Sequence, residues 1–230
     1  MTINLELESF YREASEGLLP SRDPKIERMK CQIANCELAI EPVNPTKLAK
    51  MNDEGEEWGN AAFATLRANG FIDHHSGHFT WTRLDNESRV REFEILAAIE
   101  AVVLLRSQRL DMEPLVPSLE KQIELIRSQT GRAHALETCV QAQMLLLMLV
   151  ASMNATELFR EYASLAKSSW VYAWSASLGA NAIEAMCSRA ADIVKAVTNH
   201  DGLAAARAVT ALRGVHLDTQ CEGKSGVPLA

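Results

Sequence analysis

The sequence predicts a mainly α protein: a helix-turn-helix with a small two-stranded wing near the N-terminus, then an all-helical bundle. Three observations predict it. Only 11 Gly and 7 Pro occur in 230 residues, among long Ala-, Leu-, Glu- and Arg-rich runs that favour helix over sheet. Residues 44–81 pass from two short helical patterns into two short β-type runs. After Trp81 there is no strand signal and no internal repeat, only apolar positions at helical spacing.

Residues from about Leu5 to Leu18 read as an amphipathic helix (Leu7, Phe10, Tyr11, Ala14, Leu18) that ends between Gly17 and Pro20. It is expected to pack on the winged unit or on a partner subunit. Asp23-Pro24, an N-cap followed by an N1 proline, opens a helix through about Leu38. Leu48 and Ala49 begin a short apolar helix face, and a polar turn follows around Asn52–Gly55. The next helix places Ala62, Phe63 and Leu66 on one side until Asn69-Gly70 stops it. Phe71-Ile72 and Phe79–Trp81, joined at Ser76-Gly77, make the wing.

Asp85 or Asn86 caps a long helix over about 87–108, with Ile95, Ile99, Val102 and Val103 as its apolar stripe. Pro114 and Pro117 punctuate the way to a helix ending near Ser128, and Thr130-Gly131 breaks the pattern. A strongly apolar helix spans about 133–153, and Asn154 caps another that reaches about Ser177. Helices over about 181–198 and 203–215 follow, separated by the turn at His200-Asp201-Gly202. The expected division is an extension (1–22), a winged unit (23–83), a domain of about six helices (84–218) and a frayed tail (219–230).

The formal charge is −7. Residues 1–82 hold 8 Lys/Arg against 13 Asp/Glu, so the wing-bearing part is the more acidic, the wrong sign for a phosphate-seeking surface. Five scattered cysteines without CxxC spacing indicate neither a zinc site nor a disulfide framework and suit a reducing, cytoplasmic compartment. Glu6 and Glu8 among Leu5 and Leu7 do not make a signal peptide, and Met144–Val150 is far shorter than the ~20 residues of a membrane span. No nucleophile–base pair, phosphate-cradling glycine loop or HExxH suggests an enzyme.

Leu48-Ala49 through Gly70-Phe71-Ile72 resembles, without a gap, the winged-helix domain of the GntR family of bacterial transcription regulators. The later helices resemble the FCD ligand-binding domain of its FadR-type members. Met153-Asn154, Ile193-Val194-Lys195-Ala196-Val197 and Ala204-Ala205-Ala206-Arg207 carry that likeness, which covers roughly 24–217. It implies a homodimer in which the winged unit acts on DNA and the helical domain senses a small molecule or dimerises.

The likeness also marks departures. Gly55, Glu56 and Asn60 stand where the family places a Ser-Arg pair and a further Arg on its DNA-reading helix, and Asp53, Glu54 and Glu57 add to the repulsion of phosphate. Asn52, Glu54 and Gly59 replace small aliphatic residues, which predicts a loosened turn; Gly59 costs up to ~1 kcal/mol relative to alanine. The remaining candidates for DNA contact are Lys47, Lys50, Asn60, Arg67 and His75, with His74 and His78 beside them. Three close histidines can hold a metal or become cationic; a solvated wing is the plainer reading.

The FCD metal positions fall on Gln141, Leu145, Ala190 and Leu212, and the first bundle helix carries Leu96 in place of an arginine, so no metal or other cofactor is expected. Gln141, Tyr162, Tyr172 and Cys187, with Ser169 and Trp174, are the candidate lining of a pocket for a neutral or apolar ligand; ordinary core packing is the alternative. Two functions stay open: a DNA-binding regulator, and a relative that has lost DNA contact and works through protein partners.

Overall fold

The computed structural model describes residues 12, 14–109, 112–128, 134–152 and 156–222. The winged unit begins with α1 (Pro24–Ala34), α2 (Pro45–Met51) and α3 (Glu56–Ala68), followed by β1 (Ile72–His75) and β2 (His78–Trp81). Asp23 caps α1 by accepting from the Lys25 and Ile26 amides at 2.8 and 3.4 Å. Asn44 caps α2 through the Lys47 amide at 2.8 Å, with Pro45 in its first turn. α1 stops at Ala34, earlier than expected, because Cys36 takes a left-handed φ of 57° and turns the chain away.

The wing is an antiparallel pair with Ile72 opposite Trp81 and His75 opposite His78. Ser76 and Gly77 are both at positive φ, the geometry of a tight two-residue hairpin turn. The loop before α2 adds a third edge: the Val43 amide donates to the Phe79 carbonyl at 2.8 Å. Ile26, Met29, Ile33, Leu48, Ala62, Leu66, Phe71, Ile72, Trp81 and Leu84 form the core of this unit.

The rest of the described chain is helical: α4 (Asn86–Leu105), α5 (Val116–Ser128), α6 (Ala135–Ser152), α7 (Thr156–Leu165), α8 (Ser168–Ser177), α9 (Ala180–Thr198) and α10 (Gly202–Glu222). The single helix expected from Asn154 to Ser177 is two. Lys167 is extended (ψ 157°), and Ser168-Ser169 behind it suit a helix start better than a helix interior. α10 continues past the expected end near Val215 to Glu222, taking in the first residues of the supposed tail. Residues 5–11, the Thr130-Gly131 break, Met153-Asn154 and the tail from 223 lie outside the described residues.

α6 is long and apolar enough to cross a bilayer, yet 61% of it is buried, as the spine of a bundle. Leu18, at the end of the N-terminal helical stretch, is buried in the bundle cluster rather than in the winged core. α4 is rotated relative to expectation: Phe93, Leu96, Ala97, Glu100, Val103 and Leu104 point inward, while Ile95 and Val102 are 42% and 51% exposed. An α-helical period accommodates either stripe, and the inward one contains a carboxylate.

α8 joins the two parts. Tyr172 and Ala173 belong to the core of the winged unit, and the Tyr172 hydroxyl donates to Glu27 on α1. Buried Lys30 lies 4.0 Å from Glu27 and 5.3 Å from the Tyr172 ring centroid, and burial lowers its pKa.

Candidate nucleic-acid interface and the bundle interior

α3 buries Gly59, Ala62 and Leu66 and leaves Glu56, Glu57, Asn60, Ala61, Ala64 and Arg67 exposed. Its N-cap, Gly55, makes no side-chain hydrogen bond. Glu56 and Glu57 in the first turn instead meet the positive end of the helix with carboxylates of the chain itself. The same charges oppose a phosphate arriving there.

The turn between α2 and α3 is not loosened, contrary to expectation. The Lys25 ammonium bonds the Glu54 carboxylate at 2.6 Å and the Asn52 carbonyl at 2.8 Å. The Asn52 amide donates to the Leu48 carbonyl at 3.0 Å and faces the Met29 sulfur at 3.2 Å. Trp58 Nε1 donates to Asp23 Oδ2 at 2.6 Å. Polar ties to α1 therefore replace aliphatic packing.

Gly59 has the opposite role to the one its helix propensity suggests. A Cβ there would stand 2.4 Å from the Pro45 carbonyl oxygen and 3.0 Å from Ala49 Cβ. Gly59→Ala is expected to lower stability by about 1–2 kcal/mol, overpacking exceeding the ~1 kcal/mol that propensity favours. A denaturant midpoint at or above wild type would contradict this.

The Asp23 carboxyl is held below the usual range, first by Trp58 and then by the Lys25 and Ile26 amides, against the opposing pull of burial. A depressed folded pKa adds stability above the unfolded value, and that stability is lost as pH falls through the folded value. Trp58→Phe should therefore cost about 1 kcal/mol at pH 7. Its deficit relative to wild type should shrink as acid protonates Asp23, which chemical unfolding from pH 7 to 2.5 would read.

The five candidate DNA contacts spread over α2, α3 and the wing. Lys47 bonds Glu41 and the Pro42 carbonyl, at 2.8 and 2.9 Å. Lys50, Asn60 and His75 are exposed. The exposed Arg67 guanidinium lies 5.0 Å over the Phe79 ring centroid, and Phe79 also meets the His74 ring at 4.9 Å and Phe63 at 5.2 Å. Phe79 thus fixes the wing on α3. Behind the hairpin, a cleft of about 750 Å³ is lined by His74, His75, Arg83, Glu87, Arg91 and Trp170, among others.

The four candidates for a ligand lining fall at three places: Gln141 and Cys187 against α5, Tyr172 at the joint with the winged unit, and Tyr162 in the bundle interior. Gln141 accepts from the Gln122 side chain on α5. Cys187 is buried with its sulfur 3.8 Å from the Ile126 carbonyl oxygen. Tyr172 sits at the joint with the winged unit. Tyr162 is fully buried and donates to Glu100, while accepting from Gln143 at 2.8 Å. Leu145, Ala190 and Leu212, at the supposed metal positions, are buried apolar side chains without donor atoms. Among the described residues no cluster of three His, Cys, Asp or Glu could hold a metal ion.

A polar hub occupies the interior instead. Arg213 on α10 grips Glu100 on α4 with two nitrogens, Nε donating at 2.9 Å, and donates to the Gln143 side-chain oxygen at 2.8 Å. Its guanidinium also lies 5.0 Å over the Trp174 ring centroid. Arg213 is 2% exposed and Glu100 0%. Burial works against the guanidinium charge, but Glu100 outweighs it and raises the Arg213 pKa; burial and Glu100 together raise that of Tyr162. The signal for the hub was present in the sequence as a charge inside each of two apolar periodic runs.

No family model matches the chain, and no curated protein matches it. Solved structures do. Lar, which controls expression of the Listeria monocytogenes agr system, aligns at 13% identity and a TM-score of 0.66, over 88% of this chain and 98% of its own. McbR/YncC of E. coli aligns at 12% identity and 0.55, over 87% and 96%. The chain shares the fold of these two structures, and its own is a winged helix-turn-helix with a hairpin wing followed by a helical bundle.

Proposed function

We propose that the protein is a transcription regulator that meets DNA as a homodimer through its winged unit, with Lys47, Lys50, Asn60, Arg67 and His75 as the contacting side chains. The observation that carries this reading is the open face of α3. Asn60, Ala64 and Arg67 are exposed beside a formed wing, the geometry that places a helix in a major groove. The filled interior around Arg213 favours a scaffolding and pairing part for the helical bundle. Titration against the chain's own upstream DNA and random DNA across salt tests the reading. Preference for the upstream fragment by about 10³ or more, with a falling log–log slope, is expected. Equal, salt-insensitive binding of both sinks it.

A second reading has its own observation. Glu56 and Glu57 are exposed on the face that would approach phosphate. On this reading the winged unit meets a basic protein surface and regulates through a partner, such as an intact regulator. No preference for the upstream fragment, together with loss of a co-purifying regulator in Glu56→Gln/Glu57→Gln, would favour it.

A further inference from the structure

We infer that the docking of α8 is a reversible joint, which opens while the winged core and the bundle spine stay folded and so frees the winged unit to turn against the bundle. Six buried side-chain polar atoms among the described residues have no hydrogen-bond partner: Trp81 Nε1, Thr82 Oγ1, Arg89 Nε, Ser168 Oγ, Ser169 Oγ and Trp174 Nε1. All of them lie on α8 or on the run from the end of the wing to the start of α4, which packs against it. Each is sealed from solvent, with no room beside it for a bridging water. A buried polar group without a partner costs its full desolvation, and their concentration in one contact makes that contact the least satisfied part of the described fold. Lys30, on the facing side of α1 and 1% exposed, adds to it. Its ion-pair partner Glu27 is 4.0 Å away, beyond hydrogen-bond reach, and the ammonium lies against the Phe71 and Tyr172 rings.

The backbone supplies the pivots. Lys167 (ψ 157°) and Leu178 (ψ 131°) are extended at the two ends of α8, and Gly179 (ψ 170°) is extended before α9. Residues 82–85, between the wing and α4, are neither helix nor strand. Short extended connections at element ends absorb a rotation with little change inside the elements they join.

Apolar contact and two directed bonds hold the joint closed. Tyr172 and Ala173 sit in the winged core, the Tyr172 hydroxyl donates to Glu27, and the Ser169 amide donates to the Asn69 carbonyl at 3.1 Å. On opening, these contacts are exchanged for water while the unpartnered groups gain it. Opening therefore costs less than separating a fully paired contact of the same size. It is a property of the chain itself and does not depend on whether the protein contacts DNA.

Native-state hydrogen exchange of the full chain reads the joint directly. The amides of α8 should exchange through a partial opening, with protection about tenfold or more below that of the α6 spine and of Ala62 and Leu66 in the winged core. Thr82→Val keeps the shape of the side chain and removes an unpartnered hydroxyl that lies across the joint from α8. It should raise the protection of α8 about fivefold, by the same factor as that of α6, because partial and global opening both release position 82. Ser169→Ala removes a hydroxyl from α8 itself; the same rise is expected, and it stands in if valine disturbs the wing. Amides of α8 that exchange only with global unfolding, at the protection of α6, overturn the proposal. So does α8 protection left unchanged by these substitutions.

Discussion

Arg213→Met is expected to destabilise the protein by about 3–5 kcal/mol, the usual consequence of removing one partner of a buried ion pair. The substitution leaves Glu100 charged, fully buried and without its cation, among Phe93, Leu96 and Val103. It also takes a donor from Gln143 and a cation from the Trp174 face. For a chain of this length the melting temperature should fall by roughly 10 °C. Glu100→Leu added to Arg213→Met should recover much of the loss, because the orphaned charge goes with it. Recovery should be partial: the Gln143 amide still donates to the Tyr162 oxygen at 2.8 Å, but the Tyr162 proton loses Glu100 and the Gln143 oxygen loses Arg213. Denaturant midpoints of the two variants decide the matter: a double variant no more stable than the single would show that geometry, not unpaired charge, sets the cost.

Glu56→Arg/Glu57→Arg should raise affinity for duplex DNA by about 50-fold at low salt. Each exchange moves the local charge by two units. At ~7 Å from a phosphate in water that is worth about 1.2 kcal/mol per site. The log–log salt slope should steepen by about 1.8, as expected for two added phosphate contacts. Both residues are exposed and in the first turn of α3, so the fold should lose about 1–2 kcal/mol from the reversed match to the helix dipole. A rise in affinity without steepening would mean that these positions do not face phosphate. No rise at all would place α3 away from the duplex and favour the protein-contact reading.

Residues that act through their nearest neighbours were legible in the sequence. Asp23-Pro24 and Asn69-Gly70 mark helix ends because capping depends only on adjacent backbone groups. Ser76-Gly77 marks the hairpin for the same reason. The acidic first turn of α3 was equally plain, since charge is a property of the residue itself. Gly59 was misjudged: propensity makes a helical glycine a defect, and only the Pro45 carbonyl 2.4 Å from its absent Cβ makes it a requirement. Asn52 and Glu54 looked like lost packing until Met29 and Lys25, remote in sequence, supplied their partners.

By itself, the sequence determined the order of helices and wing, the places where most of them begin, and the sign of the charge on α3, all set by contacts within a few residues. Only the tertiary structure decided which face of α4 turns inward and what fills the bundle. A buried carboxylate is tolerable only beside a matching cation, and that cation lies 113 residues away, on α10. It likewise decided that Tyr172 closes the joint with α1, since that outcome depends on which distant surfaces the fold brings together.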